Sequence, residues 1–255
     1  MSIYTMDKWE APDRNFIGHR DCMVRNMARY RFIAPQAKGR CLDIGCGRGY
    51  GFTYLQPACT DCTGLDVSES FLKEAAAQYP GVAFVHQNAE MLPFPDAAFD
   101  TITSFEVIEH IEDDRAFLRE LVRVAAPGAT VAISTPHRMT ASGGREKPLN
   151  KFHVREYLPE EFRALLRSSF GEVKLYGQSE GKETTSAKGL AGSLIDRLPV
   201  RIKYVIPFYI QDVLSVMARP PLRNEDCRFD LDVFDRAHTL YAVCRAGELG
   251  SQIST

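Results

Sequence analysis

The stretch FEVIEHI, residues 105–111, carries three side chains able to move protons. Glu106, Glu109 and His110 are spaced i, i+3, i+4, which on a helical turn puts all three on one face. Two carboxylates and an imidazole held together repel one another or share protons unless a positive charge joins them. A cationic substrate, a proton on His110 or a metal ion would each supply that charge. His110 is the candidate general base, with Glu106 beside it. A second stretch, CLDIGCGRGYG, residues 41–51, follows a strand-like start with a cluster of glycines. Glycines between a strand and a helix remove the Cβ atoms and let a ligand approach the main chain. At the carboxyl end of the first strand of an open sheet, such a ligand lies in the crevice where the strand order reverses.

Two further acids narrow the ligand. Asp66 ends the run TGLDV, about 20 residues after the glycines, where a carboxylate accepts both hydroxyls of a ribose. A ribose-bearing ligand at such a site is a nicotinamide dinucleotide or S-adenosylmethionine. Asp43 stands at the start of the loop and would repel a pyrophosphate, whereas it suits the ammonium and sulfonium of S-adenosylmethionine. Gly45, Gly47 and Gly49 space as GxGxG, whereas dinucleotide sites prefer GxGxxG.

These residues need a frame. Residues 19–34 have a helical pattern of Met23, Met27, Tyr30 and Ile33, stopped by Pro35 and Gly39. Strands are expected at RCLDI, CTGLDV, VAFVHQ, FDTITSF, TVAIST, EVKLYG and TLYAVCR. Helices are expected from Gly49, from Ser68 as an N-cap, over residues 113–124 up to Pro127-Gly128, and from Pro159. Strands alternating with helices mean a largely parallel sheet covered on both faces.

At this point the chain resembles the class I S-adenosylmethionine-dependent methyltransferases, through LDIGCGRGYG, GLDVS, NAEMLPFPDAAFD, FEVIEHI and STPHR. The resemblance implies an α/β, Rossmann-like sheet of seven strands, mostly parallel with the last antiparallel, helices on both faces. It places the methionine moiety against Asp43, Gly45, Cys46, Gly47 and Gly49, and the ribose on Asp66. The adenine would lie between Val67 and Ala89, with Asn88 where the family usually has an aspartate for the adenine amine, and Phe105 near the methyl. The ExxEH element is similar to that of O-methyltransferases in which it binds a divalent metal with a downstream histidine. The ligands here would be Glu106, Glu109, His110 and His153. Three roles therefore stand open for the cluster: metal site, metal-free base and structural cluster. His137 is a weaker base candidate, and Lys147 and Arg155 are read as solvated charges.

The expected organisation is an N-terminal helical cap (1–38), the S-adenosylmethionine-binding core (39–177), a helical insertion or lid (178–238), the final strand (239–246) and a tail (247–255). The insertion mixes apolar residues with Arg197, Arg201, Lys203, Arg219 and Arg223, which leaves peripheral contact with lipid open over residues 190–223. The expected activity is O-methylation of a small-molecule or sugar-containing acceptor. Its competitors are a nicotinamide-dependent oxidoreductase and a non-catalytic S-adenosylmethionine-binding interaction protein.

The bulk numbers agree. The chain has 255 residues, 45% hydrophobic and 25% charged, with a net charge of −2. A polyanion binder usually carries a strong basic excess, so a nucleic-acid partner is not expected. No apolar run approaches the ~20 residues of a membrane span, and the first residues lack the basic and apolar regions of a secretory signal. Seven irregularly spaced cysteines fit reduced thiols in the cytoplasm. Cys59 and Cys62 form a lone CxxC, read as structural because no matched second pair completes a zinc site.

Overall fold

The computed structural model describes residues 17–180 and 226–247. The chain divides into two compact units, one made of Met1–Ala28 and Glu180–Arg228, the other of Arg29–Ser179 and Phe229–Thr255. Little of the first unit falls within the described residues; there Arg25 Nη1 donates to Glu180 Oε1 at 2.8 Å. Most of the segment expected to be a helical insertion, including the candidate lipid-contacting residues 190–223, lies outside the described residues.

The second unit is built on an α/β frame. Helix α1 (Ile17–Ile33), of which residues from Arg29 on belong to this unit, leads to β1 (Arg40–Ile44), a single turn α2 (Phe52–Leu55), β2 (Asp61–Asp66), α3 (Glu69–Gln78) and β3 (Ala83–His86). Then follow β4 (Phe99–Phe105), α4 (Asp114–Val124), β5 (Ala125–Pro136), the short α5 (Arg138–Ala141), α6 (Pro159–Arg167), β6 (Glu172–Glu180), β7 (Cys227–Leu231) and β8 (Thr239–Arg245). The strand order is β3-β2-β1-β4-β5-β8-β6-β7. Strands β1 to β5 pair in parallel, and β8 lies antiparallel between β5 and β6. The order reverses between β1 and β4, which opens a crevice at their carboxyl ends.

Alternation along the strands sorts the core into two layers. Leu42 and Ile44 of β1 pack with Phe117, Leu118 and Leu121 of α4 and Phe162 and Leu166 of α6. Cys41 of the same strand points the other way, into a layer with Tyr30 and Ile33 of α1, Phe52 and Leu55 of α2 and Leu72 of α3. Each fully buried large apolar side chain contributes about 1.5–3 kcal/mol. Local signals begin the helices: Ser68 Oγ accepts from Phe71 N, and Asp113 Oδ1 accepts from Ala116 N at 2.8 Å, so Asp113 caps α4 rather than beginning it.

Three features differ from the sequence expectation. Among the described residues the sheet has eight strands, because β7 lies inside the segment expected to be a helical insertion. Strand β5 begins at Ala125 and runs through Pro127-Gly128, with an irregular register opposite Phe99–Thr101; those two residues interrupt a strand instead of ending a helix. The glycine turn stays irregular until Phe52, so α2 is shorter than expected.

Candidate active site

The first strand leads into the turn that the glycines build. Gly45, Gly47 and Gly49 have φ of +72°, +53° and +77°, a region costly to residues with a Cβ. The turn hangs from the end of β2, since Gly45 N and Cys46 N both donate to Leu65 O, at 2.7 and 3.1 Å. A Cβ on Gly45 would lie 2.4 Å from Val107 Cγ2, whereas one on Gly47 would meet nothing within 4 Å. Gly45 is thus required by packing, and Gly47 borders open space.

Asp66 ties the turn to α3. Its Oδ2 accepts from Gly47 N at 2.7 Å and its Oδ1 from Ser68 N at 2.8 Å. Burial pushes its carboxyl up, opposed by those backbone donors. A carboxylate has about four acceptor sites, so this one retains capacity for ribose hydroxyls. Asp43, in contrast, is fully buried. Thr103 Oγ1 donates to its Oδ1 at 2.7 Å, and Tyr30 Oη, from α1, reaches Oδ2 at 3.0 Å. Burial raises its carboxyl to about 7, against the pull of these two hydroxyls. The acid expected at the mouth of the loop therefore underlies it.

The other expected cofactor residues occupy the carboxyl ends of β1 to β4. Cys46 and Ala89 are buried, and Val67 O meets His86 Nε2 at 2.9 Å. Asn88 is exposed and its Oδ1 accepts from Glu90 N at 2.9 Å. Phe105 closes β4 with its ring 4.8 Å from that of Tyr30. Open space at Gly47, the remaining acceptors of Asp66 and the switch-point crevice fit S-adenosylmethionine.

Beyond Phe105 the chain turns sharply. Glu106 has φ +57°, and Ile108–His110 form one 3-10 turn. A non-glycine residue held there is strained, a condition that clusters at functional sites. The three acid and imidazole side chains consequently do not share one environment. Glu106 Oε1 accepts from Ser134 Oγ at 2.9 Å and lies 3.2 Å from Nη1 of the buried Arg29. Arg29 also donates to Gln178 Oε1 and Thr239 Oγ1. Glu109 is buried; Thr135 Oγ1 donates to its Oε2 at 3.1 Å, while Oε1 has no hydrogen-bond partner among the described residues. Burial, then the charge of Glu106, pushes the Glu109 carboxyl well above the usual carboxylate range.

His110 Nε2 stands 4.0 Å from Glu109 Oε1. Its Nδ1 is 2.9 Å from Phe152 O, and a carbonyl only accepts, so Nδ1 carries the proton and Nε2 the lone pair in the neutral ring. Burial holds the His110 imidazole below its ordinary value, with the neighbouring His153 acting in the same direction. His153 packs edge-on at 5.0 Å between ring centroids, its Nδ1 2.8 Å from Glu156 Oε1 and its Nε2 2.9 Å from Asn150 Nδ2. One potential ligand atom each from Glu109, His110 and His153 lies within 4.8 Å of the others. The structure thus gathers three of the four candidate metal ligands and holds Glu106 apart on Arg29 and Ser134.

Arg29, Tyr30, Thr103, Ser134 and Glu156 were not singled out from the sequence. Arg29 offered a signal, since it lies four residues before the fully buried Ile33 and so on the covered face of α1. Arg155 is not simply solvated: it donates to Asp114 Oδ2 and to Glu112 O, both at 2.6 Å. His137 is buried, with Nδ1 3.2 Å from Ala237 O.

A mostly parallel sheet with an antiparallel β8, a glycine turn after β1 and an acid at the end of β2 define an α/β protein with an open crevice at its switch point. Part of the chain is similar in sequence to S-adenosylmethionine-dependent methyltransferases. A family model described as a methyltransferase domain matches residues 42–133. A probable S-adenosylmethionine-dependent methyltransferase of Mycolicibacterium smegmatis is 40% identical over 151 residues, 59% of each chain. An ajmaline N-methyltransferase of Rauvolfia serpentina is 38% identical over 48% of this chain and 46% of its own. An O-methyltransferase of Aspergillus sclerotiorum is 33% identical over 54% and 56%. The chain therefore spans less than two thirds of the length of these curated relatives. Among solved structures, a methyltransferase of Thermotoga maritima, described as a possible histamine N-methyltransferase, shares the fold with a TM-score of 0.58 and 17% identity, covering 90% of this chain and 94% of its own. No helix among the described residues is long and apolar enough to cross a membrane.

Proposed function

We propose that the protein transfers a methyl group from S-adenosylmethionine to a hydroxyl of a small-molecule or sugar-containing acceptor, with His110 as the base. The observation that carries this reading is the half-buried His110, whose Nδ1 is fixed as a donor to Phe152 O. Its depressed pKa keeps the ring neutral and able to accept a proton near pH 7. The matched relatives are named for both nitrogen and oxygen acceptors, so the acceptor atom rests on this imidazole.

When bound, S-adenosylmethionine supplies a methyl already activated on a cationic sulfur. The chain's task is then to orient the two partners, exclude water and take one proton. The glycine turn and Asp66 hold the nucleoside end. His110 Nε2 accepts the hydroxyl proton, and the resulting imidazolium, 4.0 Å from Glu109 Oε1, favours the ionised form of that carboxyl.

A second reading has its own observation. Glu109 Oε1, His110 and His153 would hold a divalent metal, a carboxylate and two imidazoles being a donor set suited to zinc, iron or manganese. Glu156 would fix the His153 tautomer. Bound there, the metal would lower the pKa of a coordinated hydroxyl.

An acceptor screen with labelled S-adenosylmethionine tests both readings. His110→Ala is expected to lower kcat by about 10²–10⁴. In the parent, kcat/KM should rise with pH through a pKa below the ordinary histidine value of about 6.5, because the base must be unprotonated and burial depresses it. Methylation confined to amines, or an unchanged rate in His110→Ala, would overturn the base. Full activity in EDTA, with no divalent ion in protein purified without chelator, would remove the metal.

A further inference from the structure

Residues 139–152, which run from α5 toward α6, expose Met139 by 55%, Leu149 by 62% and Phe152 by 39%. These are three of the seven large apolar side chains exposed among the described residues. The same segment holds Arg145, Lys147 and Lys151 against one acid, Glu146, and all four are exposed. Its net charge is therefore +2, whereas the whole chain carries −2, which leaves −4 on the other residues.

The segment is folded on itself. Gly143 and Gly144, at φ +60° and +79°, make its turn, and Gly144 N donates back to Arg138 O at 3.1 Å. The Met139 side chain lies against that turn, since a Cβ on Gly144 would stand 2.9 Å from Met139 Sδ. Ser142 gathers the next two residues: its O accepts from Arg145 N at 3.3 Å, and its Oγ accepts from Leu149 N at 2.9 Å. Phe152 N donates to Asn150 Oδ1 at 3.0 Å, and Lys151 Nζ lies 5.0 Å from the centre of the Phe152 ring. The cations and the exposed apolar side chains thus alternate over one compact knuckle. Phe152 O also accepts from His110 Nδ1 at 2.9 Å, so the knuckle borders the candidate active site.

We propose that residues 139–152 form a docking surface for an anionic lipid bilayer. Such a surface answers both features at once. Met139, Leu149 and Phe152 enter the boundary between headgroups and acyl chains, where their exposed area leaves water. Arg145, Lys147 and Lys151 stay among the anionic headgroups, where each cation contributes roughly a fivefold gain in partitioning. Long basic side chains suit that depth, because the stem lies in apolar surroundings while the charge reaches water. A nucleic acid would meet the cations but give the methionine and leucine no apolar surface to cover them.

Sedimentation of the full chain with vesicles tests this. One set mixes phosphatidylcholine with phosphatidylserine, and the other is phosphatidylcholine alone. The parent should partition at least roughly tenfold more strongly onto the anionic vesicles, and added salt should weaken that binding. Lys147→Glu should lower partitioning onto the anionic vesicles by roughly tenfold or more. Leu149→Ser should lower it by roughly tenfold. Both residues are exposed, so both variants should unfold at the parent's temperature. Equal partitioning onto the two vesicle types, or no sedimentation with either, would overturn the proposal. So would unchanged binding in both variants, which would place the contact elsewhere on the chain. A loss in Lys147→Glu alone, the mark of a site for polyanions in general, or in Leu149→Ser alone would overturn it as well.

Discussion

Asp43 shows how one side chain divides its effect between folding and binding. Its carboxylate lies wholly out of water, and Thr103 and Tyr30 satisfy it only in part, so the carboxyl titrates near 7. The unfolded chain releases that proton near 4. Between those values the folded state binds a proton that the unfolded state has lost, so stability falls as pH rises from about 4 to about 7. Asp43→Asn removes that slope. The variant should gain about 1–3 kcal/mol relative to the parent at pH 8, and little at pH 4, in thermal denaturation. Its affinity for S-adenosylmethionine should fall about tenfold, the scale of one charge-assisted hydrogen bond. A parent whose stability is flat over this range would show that Asp43 is ionised throughout.

The strand–turn unit carries that residue, and much of the unit is legible in the sequence. RCLDI and FDTITSF read as strands from their apolar and β-branched residues in short segments, each entered from a stretch rich in turn residues. CRFDL escaped, since β7 is half exposed and mixes charges with apolar residues. The type and order of the site residues were also legible, but not their division. Spacing put Glu106, Glu109 and His110 on one face of a helical turn; the positive φ of Glu106 breaks that geometry and delivers its carboxylate to Arg29. No local rule links residue 29 to residue 106, because only packing brings α1 to β4. Within the turn, two glycines with similar backbone angles predict opposite outcomes. Gly45→Ala would drive a Cβ into Val107 and should unfold at a temperature several degrees lower, about 2 kcal/mol of stability lost. Gly47→Ala meets no neighbour within 4 Å and should lose only about 1 kcal/mol to backbone strain. Its new methyl would occupy the ligand's space, so S-adenosylhomocysteine affinity measured by calorimetry should fall at least tenfold while the fold persists. Unchanged affinity would move the nucleoside away from Gly47.

The layered sheet makes the whole second unit responsive to occupation of that crevice. Both core layers contain β1 residues, with Leu42 and Ile44 on one side and Cys41 on the other. The glycine turn joins β1 to α2 and is bonded to the end of β2, and Asp66 fastens it to the start of α3. A ligand that bridges the turn and Asp66 therefore restrains elements on which both layers depend. Ligand binding to the folded state alone stabilises by about 2.7 kcal/mol at a concentration of 100 times Kd. For a chain of this size that corresponds to roughly 5–10 °C in the unfolding midpoint. S-adenosylhomocysteine should produce such a shift and NAD should not, because the buried acid under the turn opposes a pyrophosphate. Ser134 is bonded to Glu106 and not to the glycine turn, so Ser134→Ala should preserve the S-adenosylhomocysteine shift while altering turnover. A larger shift with NAD would return the protein to the oxidoreductase reading. No shift with either nucleoside, in material that unfolds cooperatively, would refute the claim that this crevice holds one.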